Sequence, residues 1–441
     1  MKRETRQAAL AAAVLACAQP NAHGFEWNAA VGFGVWQSDN ETRSSTNELD
    51  ETTLEPVFAV SAAHDSKSLL LNASYRIEGR DFLDDIVDDA TVVTGSGELV
   101  WNAIPERFDL TVRQNSTEGT LQRFARGTQD NRQEVSTTEA APRLRFRTRN
   151  ADEIQFEYRY RQVSSELTNI DSQAQDLVAR YNLGLSERTT VSLEFIDGNT
   201  EYDAFSAPDI DRTILQGTVS TSGERTNFSG TLGNTLVERR GRSDTEGITG
   251  NLLWFYEFNP ENRLTLSASR EISDGSEQFF NRGTSLNPFV PGVQVANTDL
   301  NEIFTAEVFD ARFSTSVGAN TVELNYSQRE SDFERLPRDE EFTQIGATVS
   351  RRLRRTLTTT LNLQQIEGDF VQLQTATFEQ RSANLVITWE PIKNLETSFR
   401  VLYSDRDGAA LAGSFDELRF YIGFTYRLRN TPQVDIGIRN R

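Results

Sequence analysis

An all-β chain, closed as a single transmembrane antiparallel up-and-down β-barrel of about 20 strands (roughly 18 to 22), is what this sequence predicts. Three observations carry that expectation. Apolar residues recur at every second position through most of the chain. No apolar run beyond residue 24 approaches the roughly 18 to 20 residues that a membrane-crossing helix needs. The links between alternating segments are short and long by turns.

Leu69-Leu70-Leu71-Asn72-Ala73-Ser74-Tyr75-Arg76-Ile77-Glu78 shows the pattern most clearly. Leu69, Leu71, Ala73, Tyr75 and Ile77 share one side, and Asn72, Ser74, Arg76 and Glu78 the other. Successive strand side chains point to opposite faces, so this segment has one oily face and one wet face. A membrane offers backbone groups no partners, so such strands must close into a barrel.

The strands follow in order. Segments 25–37, 54–63, 67–78 and 91–103 come first. Then come 107–117 (Phe108, Leu110, Val112), 135–148 (Leu144, Phe146) and 153–165 (Ile154, Phe156, Tyr158, Tyr160). Segments 173–185 (Leu177, Ala179, Tyr181, Leu183) and 189–201 (Val191, Leu193, Phe195) precede 212–221, 225–238 and 246–258. Next are 263–273 (Leu264, Leu266, Ala268), 301–316, 320–331 (Val322, Leu324, Tyr326), 342–353 and 356–367 (Leu357, Leu361, Leu363). The last are 378–389, 395–405 (Phe399, Val401, Tyr403) and 417–428 (Leu418, Phe420, Ile422, Phe424, Tyr426). Val434, Ile436 and Ile438 alternate in 429–441 and leave one further strand open.

Short links such as His64-Asp65-Ser66, Asn259-Pro260-Glu261-Asn262 and Gly318-Ala319-Asn320 carry the residues of tight hairpins. Longer polar links lie between them, among them 38–53, 79–90, 118–134 and 274–300. Outer-membrane barrels have short periplasmic turns and long outer loops, which fits this order with both termini in the periplasm.

Residues 1–24 read as a signal peptide, with Lys2, Arg3 and Arg6 before the apolar stretch Ala8–Ala16 and small residues at Ala22-His23-Gly24. The expected domains are therefore the leader, 1–24, and one outer-membrane β-barrel domain, 25–441. Val14-Leu15-Ala16-Cys17 is an alternative, a loose lipobox that would make Cys17 an acylated start. Cleavage after Gly24 would remove Cys17, the one cysteine, and with it any disulfide or cysteine-ligated metal.

The 441 residues are 37% hydrophobic with formal net charge −20, and the mean hydropathy is −0.52. Such a composition excludes a helical membrane protein but suits a barrel, in which only every second residue meets lipid. The acidic balance argues against nucleic acid as a partner.

Charge on a lipid face would cost several kcal/mol per residue at the midplane. The charged faces must then line a hydrated lumen. Lumen-lining candidates are Arg76, Glu78, Arg143, Arg145, Arg147, Glu157, Arg159, Arg161, Arg180, Glu194, Arg400, Arg419 and Arg427. The spacing suggests a ladder of Arg143, Arg145 and Arg147 with Glu153, Glu157 and Arg159, read either as a brace for a wide barrel or as a solute-tuning pore lining. Candidates for the aromatic girdle at the lipid interface are Trp27, Trp36, Trp101, Trp254, Trp389 and Tyr426.

Catalytic chemistry has little to work with. His23 falls in the leader, and His64 is expected in a turn beside Asp65 and Ser66, with no second histidine to help. No catalytic, cofactor-binding or metal-binding residues are expected, and no enzyme. Acidic runs in 79–90 (Asp81, Asp84, Asp85, Asp88, Asp89) and near 332–341 lack EF-hand spacing. They read as solvated loops, or as carboxylates bridged to lipopolysaccharide by divalent ions. The least polar long link, 274–300, with Phe279, Phe280 and Phe289, suits either a lumen constriction or an exposed contact.

With Leu54-Glu55-Pro56-Val57, Leu71-Asn72-Ala73-Ser74-Tyr75, Gly97-Glu98-Leu99-Val100-Trp101 and Phe424-Thr425-Tyr426-Arg427-Leu428 in sequence, the layout resembles one family. This is the outer-membrane β-barrel porin family associated with exopolysaccharide and PEP-CTERM (exosortase) systems. The resemblance implies a Gram-negative outer-membrane location and a role near polysaccharide export or surface-protein sorting. Implied partners are outer-membrane lipid and lipopolysaccharide, the barrel-assembly machinery and polysaccharide. A departure is the end, Arg439-Asn440-Arg441, where many barrels close on an aromatic. The expected function is a porin-like channel; the alternative is a non-conducting scaffold or adhesin acting through acidic loops.

Overall fold

Twenty strands alternate direction along the chain in the computed structural model. It describes residues 25–120, 128–148, 152–165, 171–203, 209–239, 243–274, 302–334, 339–370, 377–409 and 413–428. Residues 1–24, expected to be a leader, the segment 429–441 and most of the 274–300 link lie outside these residues.

The strands are β1 (Phe25–Ser38), β2 (Glu51–Asp65), β3 (Leu69–Phe82), β4 (Ala90–Ile104), β5 (Phe108–Thr120), β6 (Arg132–Arg147) and β7 (Glu153–Ser165). They continue as β8 (Ser172–Gly184), β9 (Thr189–Tyr202), β10 (Ile210–Ser222), β11 (Thr226–Arg239), β12 (Thr245–Asn259), β13 (Asn262–Asp274) and β14 (Ile303–Val317). The last six are β15 (Asn320–Phe333), β16 (Glu340–Arg354), β17 (Leu357–Phe370), β18 (Phe378–Ile392), β19 (Leu395–Gly408) and β20 (Phe415–Arg427). A single 3₁₀ turn, Gln129–Asn131, precedes β6.

Each strand pairs antiparallel with the next, and β1 pairs with β20 from Ala30↔Arg427 to Ser38↔Arg419. The sheet is thus a closed barrel, which leaves no strand edge unpaired in the membrane. Tight turns close the short links. In one, Ser66 donates its N–H to Leu69 O at 2.9 Å and its hydroxyl receives the Leu69 N–H at 3.1 Å. In another, Gly318 takes φ +63°, a left-handed conformation that glycine adopts without penalty.

Register carries one parity around the barrel. Paired residues point the same way, so Leu177, Leu193, Leu215, Leu232 and Leu252 fall on one exposed face. Arg180, Glu194, Gln216 and Thr231 fall on the other. The apolar face is outward and the charged face is inward. Leu232, on this outward face, is 69% exposed.

The strands run beyond the membrane-width segments that alternation marks. The expected loop 79–90 shrinks because β3 continues to Phe82 and β4 starts at Ala90. His64 lies within β2, paired with Phe25, rather than in the turn. In both places backbone pairing continues where side-chain alternation fades.

Buried apolar side chains gather near the long-link ends of β6 to β14. Val135, Val163, Tyr202, Ile210, Val237, Ile272 and Ile303 form one cluster there. Asp274, at the end of β13, accepts from Tyr202 Oη at 2.8 Å and from Arg212 Nη2 at 2.9 Å. Asp274 therefore ties the end of β13 to β9 and β10.

The face assignment has a direct test. Leu232→Arg should lower folding stability in lipid vesicles by about 2–4 kcal/mol, and Thr231→Arg, one residue away on the inner face, by far less. Guanidinium titration of folding into vesicles measures both; equal losses would contradict the assignment.

Candidate functional site

The inner wall is the candidate site, and its chemistry divides it. From β19 through β20 and β1 to β9 it is a lattice of arginines and carboxylates. From β10 to β18 it is richer in hydroxyls and amides.

On the charged side, Arg76 bridges Glu55 at 2.7 Å and Glu78 at 2.9 Å. Arg80 links Glu78 at 3.0 Å to Glu118 at 2.7 Å. Arg113 joins Glu98 at 2.8 Å and Glu139 at 3.2 Å. Arg161 pairs with Asp176 at 2.8 Å, and Arg159 with Glu157 at 2.6 Å. Arg180 donates its Nε to Glu194, which also accepts from Gln216 at 2.6 Å. Near the short links Arg427 reaches Glu396 at 2.6 Å and Glu390 at 3.2 Å. At the other end Arg419 holds Glu41 at 2.7 Å and Glu417, and Arg43 holds Glu417 at 3.0 Å. Burial lowers the Arg43 guanidinium from its ordinary value, and neighbouring Arg419 acts the same way against Glu417 and Glu41. Burial likewise raises the Glu334 carboxyl, against the pull of Arg239.

All thirteen expected lining residues share the inward parity, but the expected ladder is only partly made. Arg147 does reach Glu153, at 3.4 Å. Arg143 and Arg145 instead both turn to Asp109, the former at 2.8 Å. Asp109 sits opposite Arg143 on β5 and is 1% exposed. Glu157 is already held by Arg159 on its own strand. The alternation Phe108, Leu110, Val112 marks Asp109 as inward, and that was the available signal.

Trp36 requires a correction. Its parity is inward, and its indole N–H donates to Glu55 at 2.6 Å. Its ring lies 4.6 Å from that of Tyr421, and the Arg400 guanidinium lies 5.2 Å from the Tyr421 ring centre. Gly34 and Gly423, opposite each other on the closing strand pair, make the room: a Cβ on either would fall within 2.5 Å of the Tyr421 ring atoms. Val31, Phe33 and Val35 alternate with Trp36, so a lipid-interface position was open only if residue type outweighed parity. Trp27, Trp101, Trp254, Trp389 and Tyr426 do share the outward face near the short links, where Trp254, Tyr256 and Phe258 form a contiguous ring stack.

The second side is built from cross-strand hydroxyl pairs. Thr218 and Thr231 lie 2.8 Å apart, Ser220 and Ser229 3.0 Å, and Thr235 and Thr249 2.9 Å. Thr348 donates to Asn362 at 2.9 Å. Such groups face water or a hydroxylated solute equally well. The acids near 332–341 separate: Glu340 is buried inward, Glu341 points outward, and Glu334 pairs with Arg239. Among the described residues no three His, Cys, Asp or Glu side chains are placed to hold a metal ion.

The architecture is that of an outer-membrane β-barrel, and solved structures share it. The FrpB iron transporter from Neisseria meningitidis (F5-1 variant) matches with TM-score 0.50 and 8% identity, over 92% of this chain and 83% of that one. The siderophore receptor PirA from Pseudomonas aeruginosa gives 0.47 and 11%, over 92% and 80%. OmpT lacking loop L8, an outer membrane protein of Vibrio cholerae, gives 0.36 and 9%, over 92% and 99%. No family model matches the chain, and no curated protein matches its sequence. The shared property is the fold.

Asp109→Asn would leave two guanidiniums without their carboxylate. Because Arg143 and Arg145 are each about a quarter exposed, the expected loss is about 3 kcal/mol, the lower end for breaking a buried pair. Unfolding in guanidinium chloride measures it; an unchanged midpoint would show that the lattice does not brace the wall.

Proposed function

We propose that this chain is a channel of the Gram-negative outer membrane, passing hydrophilic solutes through its lumen. The observation that carries the reading is the inner wall itself. Its guanidiniums and carboxylates are paired within and across strands, and its other side offers hydroxyls and amides. A wall of that composition is stable only against water or a polar solute. The finer part of the proposal is a link to exopolysaccharide export or surface-protein sorting, which rests on the family resemblance. Trp36, Tyr421 and Arg400 support it, since aromatic faces and planar forks both suit sugar rings and their hydroxyls. The proposal assigns no catalysis, and places lipopolysaccharide around the barrel and the barrel-assembly machinery upstream.

One observation favours a second reading, a non-conducting scaffold or adhesin. Val237, Ile210, Phe304 and Asp274, near the long-link end, are no more than 1% exposed, which points to a filled rather than an open mouth there.

Planar bilayer recording separates the two. Purified, folded protein should give stepwise conductance increments under the first reading. A flat baseline from protein that migrates as a folded, heat-modifiable band would replace it with the second.

A further inference from the structure

The outer wall carries a groove that the channel reading leaves unused. It spans β10 to β15 on the lipid-facing side and holds about 740 Å³. Its floor is glycine: Gly217, Gly230 and Gly250 all have outward parity, on β10, β11 and β12. Leu232, Ile248 and Phe309, all exposed, stand along it. Glycine inside a strand costs stability, and it commonly marks a place where another group approaches the backbone closely.

At the end of the groove nearer the long links stands Arg270. Its guanidinium meets Glu307 at 3.0 Å, and both side chains are about half exposed. An exposed pair of this kind contributes roughly 0–1 kcal/mol, so another anion can share the guanidinium. The surrounding rim is acidic, with Glu330, Glu341 and Asp369 following Glu307 in register across β15 to β17. Among the described residues of β13–β17, Arg270 is the outward guanidinium at this level. A greasy slot in the membrane, headed by one cation at the outer-leaflet side, is complementary to an acyl chain carrying a phosphate.

We propose that this groove seats lipopolysaccharide, with a lipid A acyl chain over Gly217, Gly230 and Gly250 and a lipid A phosphate on the free edge of Arg270. Native mass spectrometry of the full-length barrel in mild detergent with magnesium, which screens Glu307 and Glu330, tests it by titration with Kdo2-lipid A. One molecule should be retained per barrel. Arg270→Gln should bind about tenfold more weakly, by loss of a charge-assisted contact. Gly217→Leu should weaken binding similarly by filling the slot; a Cβ there meets nothing nearer than 3.8 Å, so the backbone admits a side chain at this position. Phosphatidylglycerol should bind more weakly than lipid A, and phosphatidylethanolamine should not compete. Wild-type affinity in both variants, or equal binding of either phospholipid, would overturn the proposal. Heat-modifiable migration verifies folding, and either variant alone decides if the other fails to fold.

Discussion

Hydrocarbon satisfies no hydrogen bond and solvates no charge, and that constraint organises everything else in this molecule. It forbids a free strand edge, so β1 must find β20. It also forbids ionised side chains on one face of every strand, so the charges have only the inside to occupy. Parity then propagates by register, because a one-residue slip anywhere would turn arginines into lipid.

The chain's large negative charge is not spread evenly over this frame. Inside the barrel the arginines are matched by carboxylates, often with two acids to one guanidinium, as at Arg76 and Arg80. Outside, beyond the apolar band, acids face acids: Glu330 lies between Glu307 and Glu341, and Glu379 lies between Glu367 and Asp407. Like charges in register repel. They persist here because water and counter-ions surround this rim, whereas buried lumen acids such as Glu78 and Asp109 are neutralised by the guanidiniums beside them. Solubility of the rim and cohesion of the wall thus come from the same residue types under different solvation.

Much of the fold was legible because period-two alternation is both a local and a global requirement. The lipid-facing sets and the inward charges came from parity alone, and the strand number followed from link lengths. Four things were harder to read. Trp36 was placed by residue type when its parity pointed inward. The partners of Arg143 and Arg145 depend on which strand offers the nearer acid, and alternation cannot rank Asp109 against Glu157. The strand ends beyond the apolar band lack alternation because lipid no longer sets the character of their outer face, so backbone pairing alone extends them. The groove over Gly217, Gly230 and Gly250 was also hidden, since three glycines far apart in sequence become one floor only in register.

A spin-label scan of β20 in reconstituted bilayers tests the central claim most directly. Single cysteines at 415–427, in a chain with Cys17 replaced, would be probed for collisions with oxygen and with a water-soluble nickel chelate. The account predicts a two-residue period, with Phe420, Ile422, Phe424 and Tyr426 favouring oxygen and Glu417, Arg419, Tyr421 and Gly423 favouring the chelate. An absent period, or one of inverted phase, would contradict it.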